Sequence, residues 1–165
     1  MKKLITSSYL VSDADYVAVH KDTYVFKYDV LRNLKNGGVF VLNSGWTVEE
    51  MDKQFPGSLK RAIANKNIQF YNINALKIAR DLGLGGRVNM IMQSIFFKLA
   101  NVLPVEKALE LLKNSIKETY GKKGDAVVNS NIEAVDKSLL YVEKIKIPES
   151  WKNAPLDVGV EKKIH

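Results

Sequence analysis

YVAVHKDTYVFKYDVLRNLKNGGVFVL, residues 16–42, holds two short continuous apolar runs, Tyr16-Val17-Ala18-Val19 and Val39-Phe40-Val41-Leu42. Unbroken runs of this length, bounded by polar residues and glycines, read as strands covered on both faces. Between them Phe26, Val30, Leu31 and Leu34 recur at helical spacing while Lys27, Arg32 and Lys35 turn outward. The spacing predicts a helix, and Gly37-Gly38 is placed to stop it. Strand, helix and strand in this order and length predict a parallel crossover, and with it an α/β fold.

The pattern continues on either side. Residues 1–14 read as a lead-in. After the second strand, Asn43-Ser44-Gly45 turns the chain, and Thr47 with Glu50 fits a capping box for a helix that Pro56-Gly57-Ser58 breaks. Leu59, Ala62 and Ile63 mark the inward face of another short helix, and Ile68 to Ile73 reads as a third strand. Asn74 is placed to cap a helix bearing Leu76, Ile78, Ala79 and Leu82, which Gly83 ends. The rest is helical. One helix starts on Asn89, and Pro104 opens another bearing Val105, Ala108, Leu109, Leu112 and Ile116. After the turn Gly121-Lys122-Lys123-Gly124, the residues Val128, Ile132, Val135, Leu139 and Val142 recur at steps of four, three, four and three.

The expected fold is therefore α/β: a partial parallel three-layer (Rossmann-like) sheet of about three strands followed by a helical C-terminal half. Residues 1–147 are expected to form one domain and residues 148–165 a linker or tail. Three parallel strands make a thin sheet, so further strands from another segment or chain are expected.

The composition, 46% hydrophobic and 26% charged over 165 residues, suits one globular domain with an ordinary core. No apolar run approaches the roughly 18 residues that span a bilayer, and the first residues lack a signal-peptide core, so a cytoplasmic location is expected. The absence of cysteine excludes disulfides and thiolate-held metals or clusters. With His20 and His165 as the only histidines, no metal site is expected. The net charge of +7 admits a phosphate-bearing partner, nucleic acid included, or simply lysines that solvate helix faces. No dense basic arm and no aromatic-plus-basic RNA motif favours nucleic acid.

No P-loop, nucleophile elbow or HExxH motif is present. Gly83, Gly85 and Gly86 follow a helix rather than a strand and read as a cap and turn, not as a dinucleotide loop. His20, Asn43 and Asn72 fall at the carboxyl ends of the three strands, where open α/β sheets bind ligands. A neutral His20 could orient or exchange a proton with a ligand, or bond to a neighbouring loop. In the helix from Asn89, the residues Ile91, Met92, Ile95, Phe96, Leu99, Val102 and Leu103 form an apolar stripe about 140° wide. Ser94, Lys98 and Asn101 form its polar face. Asn89 and Gln93 lie in a notch between that stripe and a second patch, Phe97 and Met90, and as amides on a helix expected to be buried they need partners in backbone, water or a ligand. Asn89 is either an N-cap or a ligand contact at a helix N-terminus suited to phosphate or carbonyl oxygens.

The segments SSYLVSDADYVAVH, YDVLRNLKNGGVFVLN, NIQFYNINALKIARDLGLGGRVNMIMQSIFFKLA, YGKKGDAVVNSNIEAVDKSL and IPESW, in that order, closely resemble the γ-like domain of pyruvate:ferredoxin (flavodoxin) oxidoreductase, in the 2-oxoacid:acceptor oxidoreductase family. The resemblance covers residues 7 to about 151. It implies a part of an enzyme that decarboxylates pyruvate on thiamine diphosphate, passes electrons through [4Fe–4S] clusters to ferredoxin or flavodoxin, and forms acetyl-coenzyme A. It further implies coenzyme A binding by this part. Asn89 of the NMIMQ segment, Asn131 of the VVNSN segment and His20 are the candidate contacts, with no catalytic residue and no metal ligand. Asn131 flanks the Val128–Val142 stripe, which permits a half-exposed amide there. The implied partners are the remaining domains, coenzyme A and the electron carrier, in a homodimeric full enzyme without a membrane. The resemblance also implies a strand and a glycine-rich loop upstream of SSYLV, and both are expected to be missing here. No cofactor is expected on this chain alone, and alone it is expected to be inactive. A structural interaction domain and a basic polyphosphate- or nucleic-acid-binding protein are the alternatives.

Overall fold

The computed structural model describes residues 14–84, 88–100 and 104–156. Along them run β1 (Ala14–Val19), α1 (Tyr24–Lys27), β2 (Leu34–Asn43), α2 (Val48–Gln54), α3 (Gly57–Asn65), β3 (Gln69–Ile73), α4 (Ala75–Asp81), α5 (Asn89–Leu99), α6 (Val105–Tyr120), α7 (Asp125–Tyr141) and β4 (Glu143–Lys144), with 3₁₀ turns at Gly121–Lys123 and Glu149–Asn153. The described residues fall into two compact units, 14–72 with 143–156, and 73–142.

The first unit is built on a sheet of order β1-β2-β3-β4. β1 and β2 are parallel, as the crossover reading requires. Between β2 and β3 the Gly37 N–H donates to Lys66 O at one end, while Ser44 bonds to Asn72 at the other, which sets these strands parallel too. The fourth strand is an addition to the expected three: Glu143–Lys144 pairs antiparallel with Asn72 and Tyr71 at the sheet edge. Two residues carry no periodic signal.

Alternation along the strands builds the core. Val17 and Val19, Phe40 and Leu42, and Phe70 present one face, against which Met51 and Phe55 of α2 and its end, Leu59 and Ile63 of α3, and Trp151 are buried. Phe40 and Phe70 stack across neighbouring strands with centroids 4.9 Å apart, and Phe55 lies 5.9 Å from Phe70 and 5.7 Å from Trp151. The capping box of α2 forms as its sequence predicts, Thr47 accepting from the Glu50 N–H and Glu50 accepting from the Thr47 N–H.

The predicted helix through Phe26, Val30, Leu31 and Leu34 does not form. α1 makes a single turn, Tyr28 is extended, and Leu34 already begins β2. Val30 and Leu31 are buried as expected, but from a turn, and Leu34 from the first residue of β2. The cause is tertiary: the Lys66 ammonium donates to Leu31 O at 3.0 Å and Leu34 O at 3.1 Å, which satisfies carbonyls that a helix would otherwise engage. Gly37 accordingly stops no helix. It holds φ +78° within an irregular stretch of β2, where the β1 partners jump from Leu34 to Val39.

The stretch after Pro148, expected as linker or tail, folds onto the first unit through residue 156. Trp151 is fully buried, its Nε1–H donates to Asp52 Oδ1 at 2.8 Å, and Arg61 Nε donates to Ala154 O at 2.6 Å. The expected boundary after residue 147 thus falls inside this unit.

The second unit is helical. Asn74 caps α4 by accepting from the Lys77 N–H, and Gly83, at φ +75°, ends it, with the Leu84 N–H returning to Ala79 O. α5 starts on Asn89 as predicted, although the capping position is Val88 and no side chain caps the helix. Pro104 sits at the capping position of α6, one residue ahead of the first turn. The α7 stripe buries Val128 and Val135 against Leu112 and Ile116 of α6, with Ile132 packed on them. Gly85-Gly86, Asn101, Val102 and Leu103 of the sequence reading lie outside the described residues.

Candidate functional site

Parallel strands bring their carboxyl ends to one edge of the first unit, and polar residues there are knitted together. Asn43 Nδ2 donates to His20 O at 3.1 Å. Ser44 Oγ donates to Asn72 Oδ1 at 2.6 Å and accepts from the Trp46 N–H, while Asn72 Nδ2 donates to Ser44 O at 3.0 Å. Asn43, Ser44 and Asn72 are buried, so these bonds discharge polar groups that would otherwise be costly to desolvate. The strand-end reading of His20, Asn43 and Asn72 finds all three in place, but the amides chiefly lock the strand ends together. Ser44 completes the network; its only sequence signal was its place in Asn43-Ser44-Gly45.

The His20 imidazole is half-buried, and desolvation pushes its pKa below the ordinary 6.5. It is therefore neutral near pH 7, with one nitrogen to donate and one to accept. Below about pH 6.5 the unfolded chain binds a proton at this position that the folded chain resists. Stability linked to His20 is thus intact above that value and is lost as pH falls toward the lowered folded pKa. Melting temperatures at about pH 7.5 and 5.5 should show a smaller acid loss in His20→Gln than in the parent. Equal losses would exclude His20 as a source.

The other two candidates belong to the second unit. Asn89 is the first residue of α5 and Asn131 lies on α7, and the two helices pack through a buried hydrogen bond of 2.8 Å between Ser94 Oγ and Ser138 Oγ. That contact corrects the sequence reading of Ser94, which is fully buried rather than on a polar face. Each Oγ also lies within hydrogen-bond distance of a backbone oxygen of its own helix, Ile91 O at 2.8 Å or Val135 O at 2.7 Å. With one proton apiece, one serine donates to the other while the acceptor donates to its own helix, the local satisfaction that lets a hydroxyl sit in a core.

Asn89 and Gln93 are exposed, so they are not buried amides in search of partners. Asn89 makes no side-chain hydrogen bond among the described residues, and the first-turn N–H groups of α5 have no side-chain cap. Asn131 differs from expectation in the opposite sense. It is 2% exposed rather than half-exposed, and its Nδ2 donates to Val127 O one turn back at 2.8 Å. Its Oδ1 has no hydrogen-bond partner among the described residues.

Among the described residues no group of three or more His, Asp or Glu side chains is placed to hold a metal ion, and no helix is long and apolar enough to cross a membrane.

A family model described as pyruvate ferredoxin/flavodoxin oxidoreductase matches residues 2–141. Pyruvate:ferredoxin oxidoreductase of Moorella thermoacetica is 52% identical over 153 residues, which are 93% of this chain and 13% of that protein. Pyruvate-flavodoxin oxidoreductase of Enterobacter agglomerans is 48% identical over 160 residues, 97% of this chain and 14% of that protein. The crystal structure of the pyruvate oxidoreductase subunit PORC from Thermotoga maritima aligns with a TM-score of 0.63 at 18% identity, over 82% of this chain and 67% of that one, a likeness of fold. The chain spans 13% and 14% of the two curated relatives' lengths. With the family model covering most of its residues and about half of them identical to those relatives, the chain belongs to the pyruvate ferredoxin/flavodoxin oxidoreductase family.

Proposed function

We propose that this chain is a module of a cytoplasmic pyruvate:ferredoxin (flavodoxin) oxidoreductase, contributing to coenzyme A binding and to assembly of the enzyme that converts pyruvate to acetyl-coenzyme A. The observation that carries the reading is the match of 93% of the chain to only 13% of a pyruvate:ferredoxin oxidoreductase. A part in that proportion need not hold the reacting centre. Thiamine diphosphate and [4Fe–4S] clusters supply the decarboxylation and electron transfer when bound, and a chain without cysteine offers no thiolate to a cluster. What its own residues supply is recognition.

Asn89 presents a free amide beside the uncapped first turn of α5, where phosphate or carbonyl oxygens meet N–H donors and a partial positive charge. Asn131 offers a carbonyl oxygen whose amide is fixed by Val127, so the acceptor is preorganised. His20 adds a neutral donor–acceptor. The isolated chain is expected to bind coenzyme A weakly and not to turn over pyruvate. Calorimetry with coenzyme A on the chain joined to the remaining domains should show Asn89→Ala weakening affinity about tenfold, the loss of one hydrogen bond to a charged group. Unchanged affinity would remove Asn89 from the site.

A purely structural role is the second reading, favoured by exposed apolar side chains on the helical unit. Leu111 of α6 is 52% exposed, and Leu140 and Tyr141 at the end of α7 are 76% and 61% exposed. If packing on the rest of the enzyme is the whole role, coenzyme A affinity survives Asn89→Ala, while Leu140→Asp with Tyr141→Ser disrupts assembly in gel filtration.

A further inference from the structure

We propose that the cleft between the β1–β2 connection and α3 binds a small anionic ligand, one phosphate or carboxylate group carried on a flat apolar body. The cleft lies wholly within the first unit and measures about 470 Å³, within the range that small molecules occupy. Its apolar wall includes Leu59 and Ala62 of α3, with Tyr28 44% exposed on the opposite side. Lys27, Arg32 and Lys66 line it against a single acid, Asp29, a net charge of 3 − 1 = +2.

The charge is not neutralised from within. Some lysines elsewhere pair with carboxylates, such as Lys35 with Asp15, Lys60 with Asp52 and Lys113 with Asp136. Among the described residues no carboxylate lies within ion-pair distance of Lys27, Arg32 or Lys66. Lys66 is the most telling of the three. It is half-buried, and the two carbonyls Leu31 O and Leu34 O hold its ammonium at 3.0 and 3.1 Å. An ammonium carries three donors, so one remains for a ligand at a charge already fixed in place. Arg32 and Lys27 add mobile donors at the rim. A fixed cation beside an aromatic and an aliphatic wall suits an anion with an apolar body better than it suits a bare ion. This site is independent of the coenzyme A reading, since it shares none of Asn89, Asn131 and His20.

The test is titration of the full chain with phenyl phosphate, benzoate and inorganic phosphate, followed by amide and side-chain NMR shifts. Saturable shifts at Tyr28, Arg32, Ala62 and Lys66 are expected with one of the aromatic probes, and the preferred probe assigns the anion. Lys27→Ala with Arg32→Ala, both exposed and harmless to the fold, should weaken binding about tenfold or more, and added salt should weaken it too. Lys66→Met, checked for folding by its spectrum, should abolish saturation. No saturation by about 10 mM, shifts centred elsewhere, or affinity unchanged in the double variant would overturn the site. Inorganic phosphate binding as tightly as phenyl phosphate would overturn the apolar half of the assignment.

Discussion

Trp151→Ala should destabilise the chain by about 3–5 kcal/mol, the range for truncating a fully buried aromatic. Trp151 is 0% exposed, its ring lies 5.7 Å from Phe55, and its indole N–H donates to Asp52 Oδ1. Asp52 also receives Lys60, through its backbone oxygen at 2.8 Å and its carboxylate at 3.5 Å. Removing the indole therefore empties a volume in the aromatic core and loosens the polar tie that joins α2 to α3. Trp151→Phe keeps one aromatic ring and loses the fused pyrrole with its N–H bond, so it should cost less, about 1–2 kcal/mol. Both tryptophans of the sequence, Trp46 and Trp151, lie in the first unit, so urea unfolding followed by Trp46 fluorescence reads out that unit. A loss below about 1 kcal/mol for Trp151→Ala would mean that residues 149–154 are the loose tail the sequence pattern suggests.

That pattern was misleading for a definite reason. Residues 148–156 have no periodicity because they form a single 3₁₀ turn and a strap, and a strap is held by one anchor and backbone bonds rather than by a repeating face. The same limit hides β4. It also explains the missing helix before β2, where apolar residues at helical spacing are buried all the same. Burial periodicity cannot tell a helix from a turn whose carbonyls are engaged by a distant Lys66. Where the deciding interaction is local, the sequence is legible: the Thr47–Glu50 box, the Asn74 cap and the Gly83 ending all form between near neighbours.

The candidate residues divide along the same line. Asn89 is legible as the start of a helix because helix starts are local. Its exposure is not, because it depends on which face meets the rest of the fold. Ser94 and Ser138 look polar at the level of composition, yet they pair with each other inside the helical unit. Asn131 flanks an apolar stripe, which allowed a half-exposed amide, and the bond to Val127 lets it be buried instead. The strand-end positions of His20, Asn43 and Asn72 follow from topology, which the two apolar runs of residues 16–42 already imply. Ser44 lies on no such pattern, and only the pairing of β2 with β3 brings it to Asn72.

Gly57→Ala should also destabilise the first unit, against the ordinary preference of helices for alanine. Gly57 opens α3, and a Cβ built there lies 1.8 Å from Pro155 O and 2.7 Å from Pro155 C. Both atoms are backbone, so no side-chain rotation relieves the clash. Helix propensity would favour alanine by at most about 1 kcal/mol, and by less at a first position. The strap cannot retreat freely, because Arg61 holds Ala154 O and Trp151 is buried three residues earlier. Overpacking of this kind costs about 1–3 kcal/mol, so the net sign is a loss. Coupling to the strap gives the sharper prediction. In a Trp151→Ala background the strap is already loosened, so Gly57→Ala should cost much less and can even stabilise through propensity. The two losses should then fall short of additivity by about 1 kcal/mol or more, as expected for residues that share one contact. Additive losses in urea unfolding, or a stabilised Gly57→Ala single variant, would show that Pro155 does not close over α3.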